Sequence, residues 1–329
     1  MDKVMRIILS SVSLLTLAAC VSAPAANAPA AQVAVAAPTP ATPAPAPPPP
    51  PPAPNSQAFA RAIDLGSGVQ MLMGQGGNLA ISTGDDGLFL IDDQYVTNAE
   101  VNLAKIEELA KGKPKYLINT HWHFDHAGGN EVFGAAGATI FASDNVRKRL
   151  TGEVKSDSRG APKVPAAHVA LPVVTFTTGI DFHLNNQTIR AIRAPLPAHT
   201  DGDTFIYFVE ADILHTGDTY MKNFYPFVDT GSGGTQAGFI AALTKILEVT
   251  GPKTRYIPGH GELATRADIE AALAMHKGAR AAVEALVKAG KTLEETLAAK
   301  PLAPWTPRFG AGFINEAAYT TVIYQELKK

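Results

Sequence analysis

The chain has 329 residues, of which 46% are hydrophobic and 18% are charged, and it contains a single cysteine. This balance is that of an ordinary globular protein. A formal net charge of -2 gives no electrostatic reason to expect a nucleic-acid partner, and one cysteine excludes an internal disulfide.

The first 20 residues resemble the signal of a bacterial lipoprotein. Lys3 and Arg6 form a short basic region, and the apolar stretch that follows is too short to span a bilayer stably. That stretch ends in "LAAC", whose last residue, Cys20, would be lipidated and become the new N-terminus. An ordinary secretory signal that happens to contain Cys20 is the alternative, and both interpretations predict export.

Residues 21–58 are predicted to form an extended tether, because residues 21–55 contain 13 prolines and 13 alanines. Acyl chains on Cys20 would anchor the mature chain to a membrane surface on the periplasmic side. By the sorting habit of such lipoproteins, Val21 in place of an aspartate after the cysteine favours the outer membrane. The remainder, residues 59–329, suits one α/β domain of about 270 residues.

The folded part opens on strand patterns and then changes to a helical one. "VQMLMG" and "NLAISTGDDGLFLID" predict a meander of strands, with a turn at Gly76 and Gly77. "NAEVNLAKIEELAKG" has a helical period, with Ile106 and Leu109 on one face and Gly112 as the predicted stop. "KYLINT" then reads as a short apolar strand.

The rest of the chain repeats this order of strands followed by helices. Strands are predicted at "ATIFAS", "VVTFTT", "QTIRAIRAP", "TFIYFVE" and "DILHTGD", followed by a helix at 235–249. The strand "RYIPGH" and a helix-rich tail from about residue 265 complete the chain. Two clusters of strands, each followed by helices, predict two sheets packed face to face with helices on both outer sides.

Residues 119–130, "NTHWHFDHAGGN", contain three histidines and an aspartate in six positions at the end of a predicted strand. Histidines two apart on an extended segment point to the same side, so His121 and His123 can reach one ion. The turn that follows would carry Asp125 and His126 towards a second ion, and oxygen with imidazole suits zinc with an open coordination position. A histidine-rich surface loop is the alternative, but chance rarely produces this spacing.

The chain resembles the metallo-β-lactamase superfamily, whose hallmark is HxHxDH followed by a histidine, an aspartate or cysteine, and a final histidine. The later motifs occur here in that order, in "PAHTDGD", "HTGDTY" and "PGHGE", and the resemblance runs from about residue 65 to 275. It implies an α/β fold, a four-layer αββα sandwich of two mixed β-sheets flanked by helices, with the ligands on loops at one edge. It also implies two zinc ions per chain, held by His121, His123 and His199 on one side and by Asp125, His126 and His260 on the other, with Asp218 as a bridge.

Such a pair of ions implies hydrolysis. Two zinc ions roughly 3.5–4 Å apart share a water, lower its pKa to about 7, and the bridging hydroxide attacks a carbonyl. The resemblance makes Asp125 the catalytic residue, which orients the hydroxide and passes its proton to the leaving group.

The motifs do not determine which bond of the substrate is cleaved. Predicted export and the superfamily favour a β-lactam amide as the small-molecule substrate. A complete ligand set with Asp218 as the bridge is instead more typical of glyoxalase II-like thioester hydrolases, lactonases and phosphodiesterases. Phosphodiester substrates usually require additional basic groups, and Lys222 is the basic residue near the predicted site.

Several side chains are candidates for substrate contacts. Lys222 follows Asp218 by four residues and would anchor a carboxylate, although a solvated loop lysine would look the same. Trp122, Phe124 and Tyr225 are predicted to wall an apolar groove, with packing in the core as the alternative.

The motifs also have candidate supporting residues. His215 is a candidate support for the site, and Asp201 and Asp203 are candidates to hold the second ring nitrogen of His199.

Two other classes of protein fit the sequence less well than a zinc hydrolase. A non-catalytic lipoprotein with a structural metal would close its site with four ligands, whereas seven ligands for two ions leave positions open to water. An iron-containing redox protein of the flavo-diiron type would replace part of HxHxDH with glutamate and carry a flavin domain, and this sequence has neither feature.

Overall fold

The computed structural model describes residues 59–155 and 164–329. The signal peptide (1–20), Cys20 and the tether (21–58) lie outside these residues, so the predictions made for them stay predictions. No helix within the described ranges is both long and apolar enough to cross a membrane.

The first sheet has seven strands that follow one another in chain order. These strands are β1 (Arg61–Asp64), β2 (Val69–Met73), β3 (Leu79–Ser82), β4 (Leu88–Ile91), β5 (Pro114–Ile118), β6 (Thr139–Ser143) and β7 (Val174–Phe176). The pairs from β1 to β4 are antiparallel, and the pairs from β4 to β7 are parallel. The sheet is therefore mixed.

The second sheet has five strands, and it too is mixed. They are β8 (Gly179–Leu184), β9 (Gln187–Arg193), β10 (Thr204–Phe208), β11 (Ile213–His215) and β12 (Arg255–Ile257). β8 to β11 pair antiparallel in chain order, whereas β11 and β12 run parallel. The long connection between β11 and β12 contains a helix, as a parallel crossover requires.

The helices of the described residues follow the strands in two groups. The first group is α1 (Ala99–Ala110), α2 (Phe124–Ala127), α3 (Asn130–Ala135) and α4 (Asp144–Leu150). The second group is α5 (Gln236–Val249), α6 (Arg266–Lys288), α7 (Leu293–Ala298), α8 (Thr306–Phe309) and α9 (Glu316–Leu327).

The two sheets pack face to face through one apolar layer. Phe89 and Ile91 of β4 lie in the same buried cluster as Ile206 and Phe208 of β10. Because alternate side chains of a strand point to opposite faces, Leu90 faces away from this layer. Both faces of the central strands are thus buried, which explains their continuous apolar sequences.

The outer faces of both sheets are covered by helices. Leu90 packs in a cluster with Ile106 of α1 and Phe133 of α3. On the far side, Phe205 of β10 packs in a cluster with Phe239 of α5. The predicted four-layer αββα sandwich is confirmed.

Some elements of the fold escaped the sequence patterns. β8, with the sequence "GIDFHL", is an edge strand whose residues alternate between exposed and half-buried, so it carries little apolar signal. β1 and the short helices α2 to α4 were also not predicted. Helix α1 ends one residue earlier than predicted, because Lys111 rather than Gly112 takes the left-handed conformation, with φ 54°.

His276 on α6 gives the folded domain a predictable sensitivity to acid. Its ring stacks on Phe239 and its Nδ1 is hydrogen-bonded to the hydroxyl of Tyr319, and burial lowers its pKa from 6.5 to about 3. Between pH 6.5 and 3 the unfolded chain therefore binds a proton that the folded chain does not. The stability due to a neutral His276 is complete above pH 6.5 and is lost as the pH falls towards 3.

Replacing His276 by glutamine is expected to flatten the dependence of unfolding free energy on pH. The slope of unfolding free energy against pH should fall by up to about 1.4 kcal/mol per pH unit. Urea denaturation of chelator-treated protein between pH 6 and 4 measures this slope. His183→Gln, which removes an exposed imidazole, is the matched control. Equal slopes in His276→Gln and the wild type would contradict the assignment.

Candidate metal centre

The segments that carry the predicted metal ligands each begin at the end of a strand. His121 comes three residues after β5, Asp218 three residues after β11, and His260 three residues after β12. Because β11 and β12 run parallel, their carboxyl ends bring Asp218 and His260 to the same edge of the second sheet. His199 lies on the loop between β9 and β10.

The loop after β5 has the extended segment and the turn that the sequence predicted. His123 has extended backbone angles, φ −65° and ψ 152°, and helix α2 begins at the next residue. The rings of His121 and His123 are 4.9 Å apart. The single turn of α2 then directs Asp125 and His126 towards His260.

The structure brings the seven predicted ligands together in three overlapping groups. Within each group, the atoms able to bind a metal all lie within 4.8 Å of one another. The groups are His121, His123 and His199; His121, His126 and Asp218; and Asp125, His126 and His260.

Asp218 lies between the two outer groups. Its carboxylate oxygens are 3.1 Å from His126 Nε2, 3.3 Å from His260 Nε2 and 3.5 Å from His199 Nε2. The side chain is only 6% exposed. A single buried carboxylate in contact with imidazoles of both groups has the position that a bridging ligand would need.

Hydrogen bonds outside the groups determine which ring nitrogens carry protons. His199 Nδ1 donates to the carbonyl oxygen of Phe227 at 2.7 Å, so its Nε2 presents a lone pair. His123 Nε2 donates to Asp229 at 2.8 Å, so its Nδ1 presents a lone pair as well. These two nitrogens face each other at 2.7 Å, and such a pair is stable only with a cation or a proton between them.

His121 adds a third imidazole to these two. Its Nδ1 donates at 3.0 Å to the hydroxyl of Thr120, which itself donates to Asp92. His121 Nε2 is buried and has no hydrogen-bond partner in the described part of the chain. Three imidazole lone pairs directed to one point are suited to zinc.

The charges of the site agree with a metal-binding role. Burial alone would raise the pKa of Asp125, but His126 and His260 outweigh it and hold that pKa at about 2. Burial and neighbouring imidazoles lower the pKa of His121 and His199, so both rings are neutral, as ligation requires. Burial lowers the pKa of His260, yet Asp218 and Asp125 raise it to about 10, so a metal ion must displace a proton there.

The residues that orient the ligands were mostly missed by sequence reasoning. Asp92 accepts hydrogen bonds from His126 Nδ1 and from Thr120, and Asp229 accepts one from His123. Asp92 follows the end of β4, which is the one sequence signal that could have identified it. Asp229 stands in an irregular loop with no comparable signal.

Asp201, Asp203 and His215, the residues suggested to support the ligands, make different contacts. Asp203 accepts the backbone N–H of His199 and not its ring nitrogen, and Asp201 pairs with Arg149. His215 is buried, and its Nδ1 accepts the backbone N–H of Gly217, so it braces the turn that carries Asp218. His215 and Asp203 thus both hold a ligand segment, but Asp203 does so through the backbone of His199.

Asp92→Asn is expected to weaken metal binding by about 10- to 100-fold, because orienting partners of ligating histidines contribute that much. Asparagine tolerates the left-handed backbone of Asp92, with φ 58°, but has an NH2 donor in place of one of the two oxygens that accept from His126 and Thr120. Competition with a chromophoric zinc chelator measures the affinity. Asp181→Asn, at an exposed ion pair with Arg190, is the control, and equal affinities of the two variants would refute the role of Asp92.

Two of the candidate substrate contacts lie in the core. Trp122 is 1% exposed and packs beneath the guanidinium of Arg149. Tyr225 is fully buried, and its hydroxyl is bonded to the carbonyl of Leu302 and to Thr306. Both positions match the alternative of core packing.

Lys222 and Phe124 lie nearer the ligand segments. The Lys222 ammonium donates to the carbonyl of Leu263 at 2.7 Å and is 3.7 Å from Asp268. An ammonium with two protein partners is poorly placed to anchor a substrate carboxylate. Phe124 is half-buried beside Asp125, with its ring 5.3 Å from that of Tyr95.

The chain has relatives among known proteins. The family described as the metallo-beta-lactamase superfamily matches residues 80–273, a range that contains all seven ligands. A hydroxyacylglutathione hydrolase of Pelagibacter ubique is 24% identical over 190 residues, which cover 52% of this chain and 67% of that protein.

Solved structures show the same fold. A metallo-beta-lactamase from Pontibacter korlensis superimposes with a TM-score of 0.54 at 21% identity, covering 66% of this chain and 98% of that one. The stereoselective inverting sec-alkylsulfatase Pisa1 from Pseudomonas sp. gives a TM-score of 0.64 at 17% identity, covering 80% of this chain and 50% of that one. At these identities the likeness concerns the fold alone.

Proposed function

The chain belongs to the metallo-β-lactamase superfamily, whose members are metal-dependent hydrolases, and from that membership we propose a dinuclear zinc hydrolase of carbonyl substrates. The observation that carries the proposal is the convergence of the seven candidate ligands in three overlapping groups, with Asp218 in contact with both outer groups. Imidazole with carboxylate is a donor set that zinc prefers. Asp125 and His260 are partly exposed, so their group is open to solvent on one side, as a catalytic site requires.

The bound ions would supply Lewis-acid chemistry, which polarises a carbonyl and lowers the pKa of water to about 7. The substrate would approach from the side of Asp125 and His260, whose side chains are 16% and 28% exposed while the other ligands are nearly inaccessible. Asp125 is ionised and therefore accepts a proton. Its carboxylate would take the proton of the attacking water and pass it to the leaving group.

A thioester or ester is the first candidate for the substrate. The complete ligand set with a bridging aspartate supports it, and so does the name of the hydroxyacylglutathione hydrolase relative. The Lys222 ammonium is held by the carbonyl of Leu263 and by Asp268. It is therefore not available to anchor a drug carboxylate or to serve as a basic group for a phosphodiester. β-Lactam hydrolysis stays the second candidate, favoured by predicted export and by the fold shared with a metallo-beta-lactamase.

Hydrolysis assays of the zinc-loaded full chain test the proposal. We expect turnover of S-lactoylglutathione to exceed that of nitrocefin, to stop on addition of EDTA and to return with zinc. Faster turnover of nitrocefin would reverse the order of the two substrates. Hydrolysis of neither substrate, nor of simple esters and lactones, by protein that carries two zinc ions would overturn the hydrolase proposal.

We also propose that the protein is exported and anchored through a lipid on Cys20, on the periplasmic side and with the outer membrane favoured. The support is the signal-like sequence of residues 1–20 and the proline-rich residues that follow. Cys20→Ser is expected to move the protein from the membrane pellet to the soluble fraction on cell fractionation. Retention of Cys20→Ser in the pellet would contradict a lipid anchor.

A further inference from the structure

A large apolar side chain from the C-terminal part of the chain lies close to the metal ligands. Phe313, between α8 and α9, is 58% exposed, and its ring centre is 6.1 Å from that of Phe227. The ring of Phe227 in turn lies 5.8 Å from His199 and 6.1 Å from His123. Phe313 is therefore one aromatic ring away from two predicted ligands of the same ion.

The backbone on both sides of Phe313 is held in place. Ile314, the next residue, is buried in the core. Gly310 forms an antiparallel bridge with Phe224, and Gly312 lies so close to the Phe224 ring that a Cβ there would be 2.7 Å from Cδ1. The exposed position of the Phe313 ring is thus imposed by a packed segment.

A second aromatic pair borders the other ligand group. Tyr95 and Phe124 are both half-buried, with ring centres 5.3 Å apart, and Phe124 directly precedes Asp125. Small-molecule sites combine apolar walls of this kind with a few polar groups that fix orientation. The polar groups here are the metal ligands themselves.

We propose that Phe313 is a specificity-determining residue that binds an apolar substituent of the substrate, an aromatic or aliphatic acyl or leaving group, against the half-buried ring of Phe227. This inference rests on the proposed function, since it requires the substrate to be held at the metal ions. The residue lies beyond residue 273, where the family match ends. The preference is therefore a property of this chain's own C-terminal segment.

Thiols of different apolar size test this inference without relying on turnover. Thiolates are good ligands for divalent transition metals, so benzyl mercaptan and 2-mercaptoethanol can be titrated against the cobalt-loaded full chain. The visible spectrum of the cobalt reports their binding. We expect benzyl mercaptan to bind more tightly to the wild type, because its ring can pack on Phe313 and Phe227.

Phe313→Ala is expected to reduce the preference for benzyl mercaptan over 2-mercaptoethanol by roughly five- to tenfold. Phe313→Leu should restore part of it, since it returns apolar area at the same place. Val173→Ala removes an exposed apolar side chain ahead of β7 and should leave the preference unchanged.

The possible failures can be told apart. An unchanged preference in Phe313→Ala, or an equal change for both thiols, would overturn the role of Phe313 while leaving the metal site and the hydrolase proposal intact. Failure of the wild type to bind cobalt, or to respond to either thiol, would overturn the proposed metal centre and this inference with it.

Discussion

Asp218→Asn is expected to lower the proposed zinc-dependent hydrolysis about a thousandfold. The carboxylate of Asp218 contacts Nε2 of His126, His199 and His260 at 3.1, 3.5 and 3.3 Å, so it serves both ligand groups. Asparagine keeps the size of the side chain but loses its charge and one ligating oxygen. A thousandfold loss corresponds to about 4 kcal/mol of transition-state stabilisation.

Metal analysis separates this effect from general damage. Asp218→Asn should also retain fewer zinc ions than the wild type when both are dialysed against the same buffer. Asp181→Asn, at an exposed ion pair with Arg190, makes the same chemical change away from the ligands and should behave as the wild type. Wild-type turnover and zinc content in Asp218→Asn would refute a bridging role.

Gly259→Ala is expected to reduce turnover about a hundredfold without adding or removing any functional group. A Cβ at this position would lie 1.9 Å from Asp218 Oδ1 and 2.8 Å from the backbone of Gly217. The backbone of Gly259 is held by its N–H, which is shared between the carbonyls of Gly217 and Tyr220, so the carboxylate has to move. A displacement of about 1 Å at a catalytic group lowers the rate about a hundredfold.

Gly112→Ala is the matched control for this substitution. A Cβ at Gly112 meets nothing within 4 Å, so the same added methyl group enters open space. Kinetics and zinc content of both variants, compared at equal folded fraction by circular dichroism, measure the effect. Equal turnover in Gly259→Ala and Gly112→Ala would show that the position of Asp218 is not critical.

The fold was predictable where the chain repeats a regular apolar pattern. Strands such as β4 and β10 are buried on both faces, so their apolar sequences stand out, and helix α5 was predicted within one residue of its bounds. β8 escaped because an edge strand needs few apolar residues. The end of α1 differed because Lys111 took the left-handed position that glycine usually occupies.

The grouping of the candidate ligands was predictable for a different reason: local spacing determines local geometry. His121, His123, Asp125 and His126 lie within six residues, so an extended segment and one turn suffice to direct them. His199, Asp218 and His260 were assigned through the family resemblance, and the structure brings them to the same place.

Residues whose roles depend on tertiary contacts could not be predicted in this way. Asp92 and Asp229 orient His126 and His123 from 34 and 106 residues away. The spacing between Asp218 and Lys222 does not determine where the Lys222 side chain points. Its direction is set by the hydrogen bond to the carbonyl of Leu263. Tyr225 is buried by contacts with the C-terminal part of the chain, at Leu302 and Tyr319, which its own position in the sequence does not reveal.

Native mass spectrometry of the full chain, titrated with zinc after removal of metals, counts the ions that the site holds. We expect the chain to bind two zinc ions, and His121→Ala and His260→Ala each to lose one of them. Binding of one ion or none at saturation by the wild type would contradict a paired-metal centre.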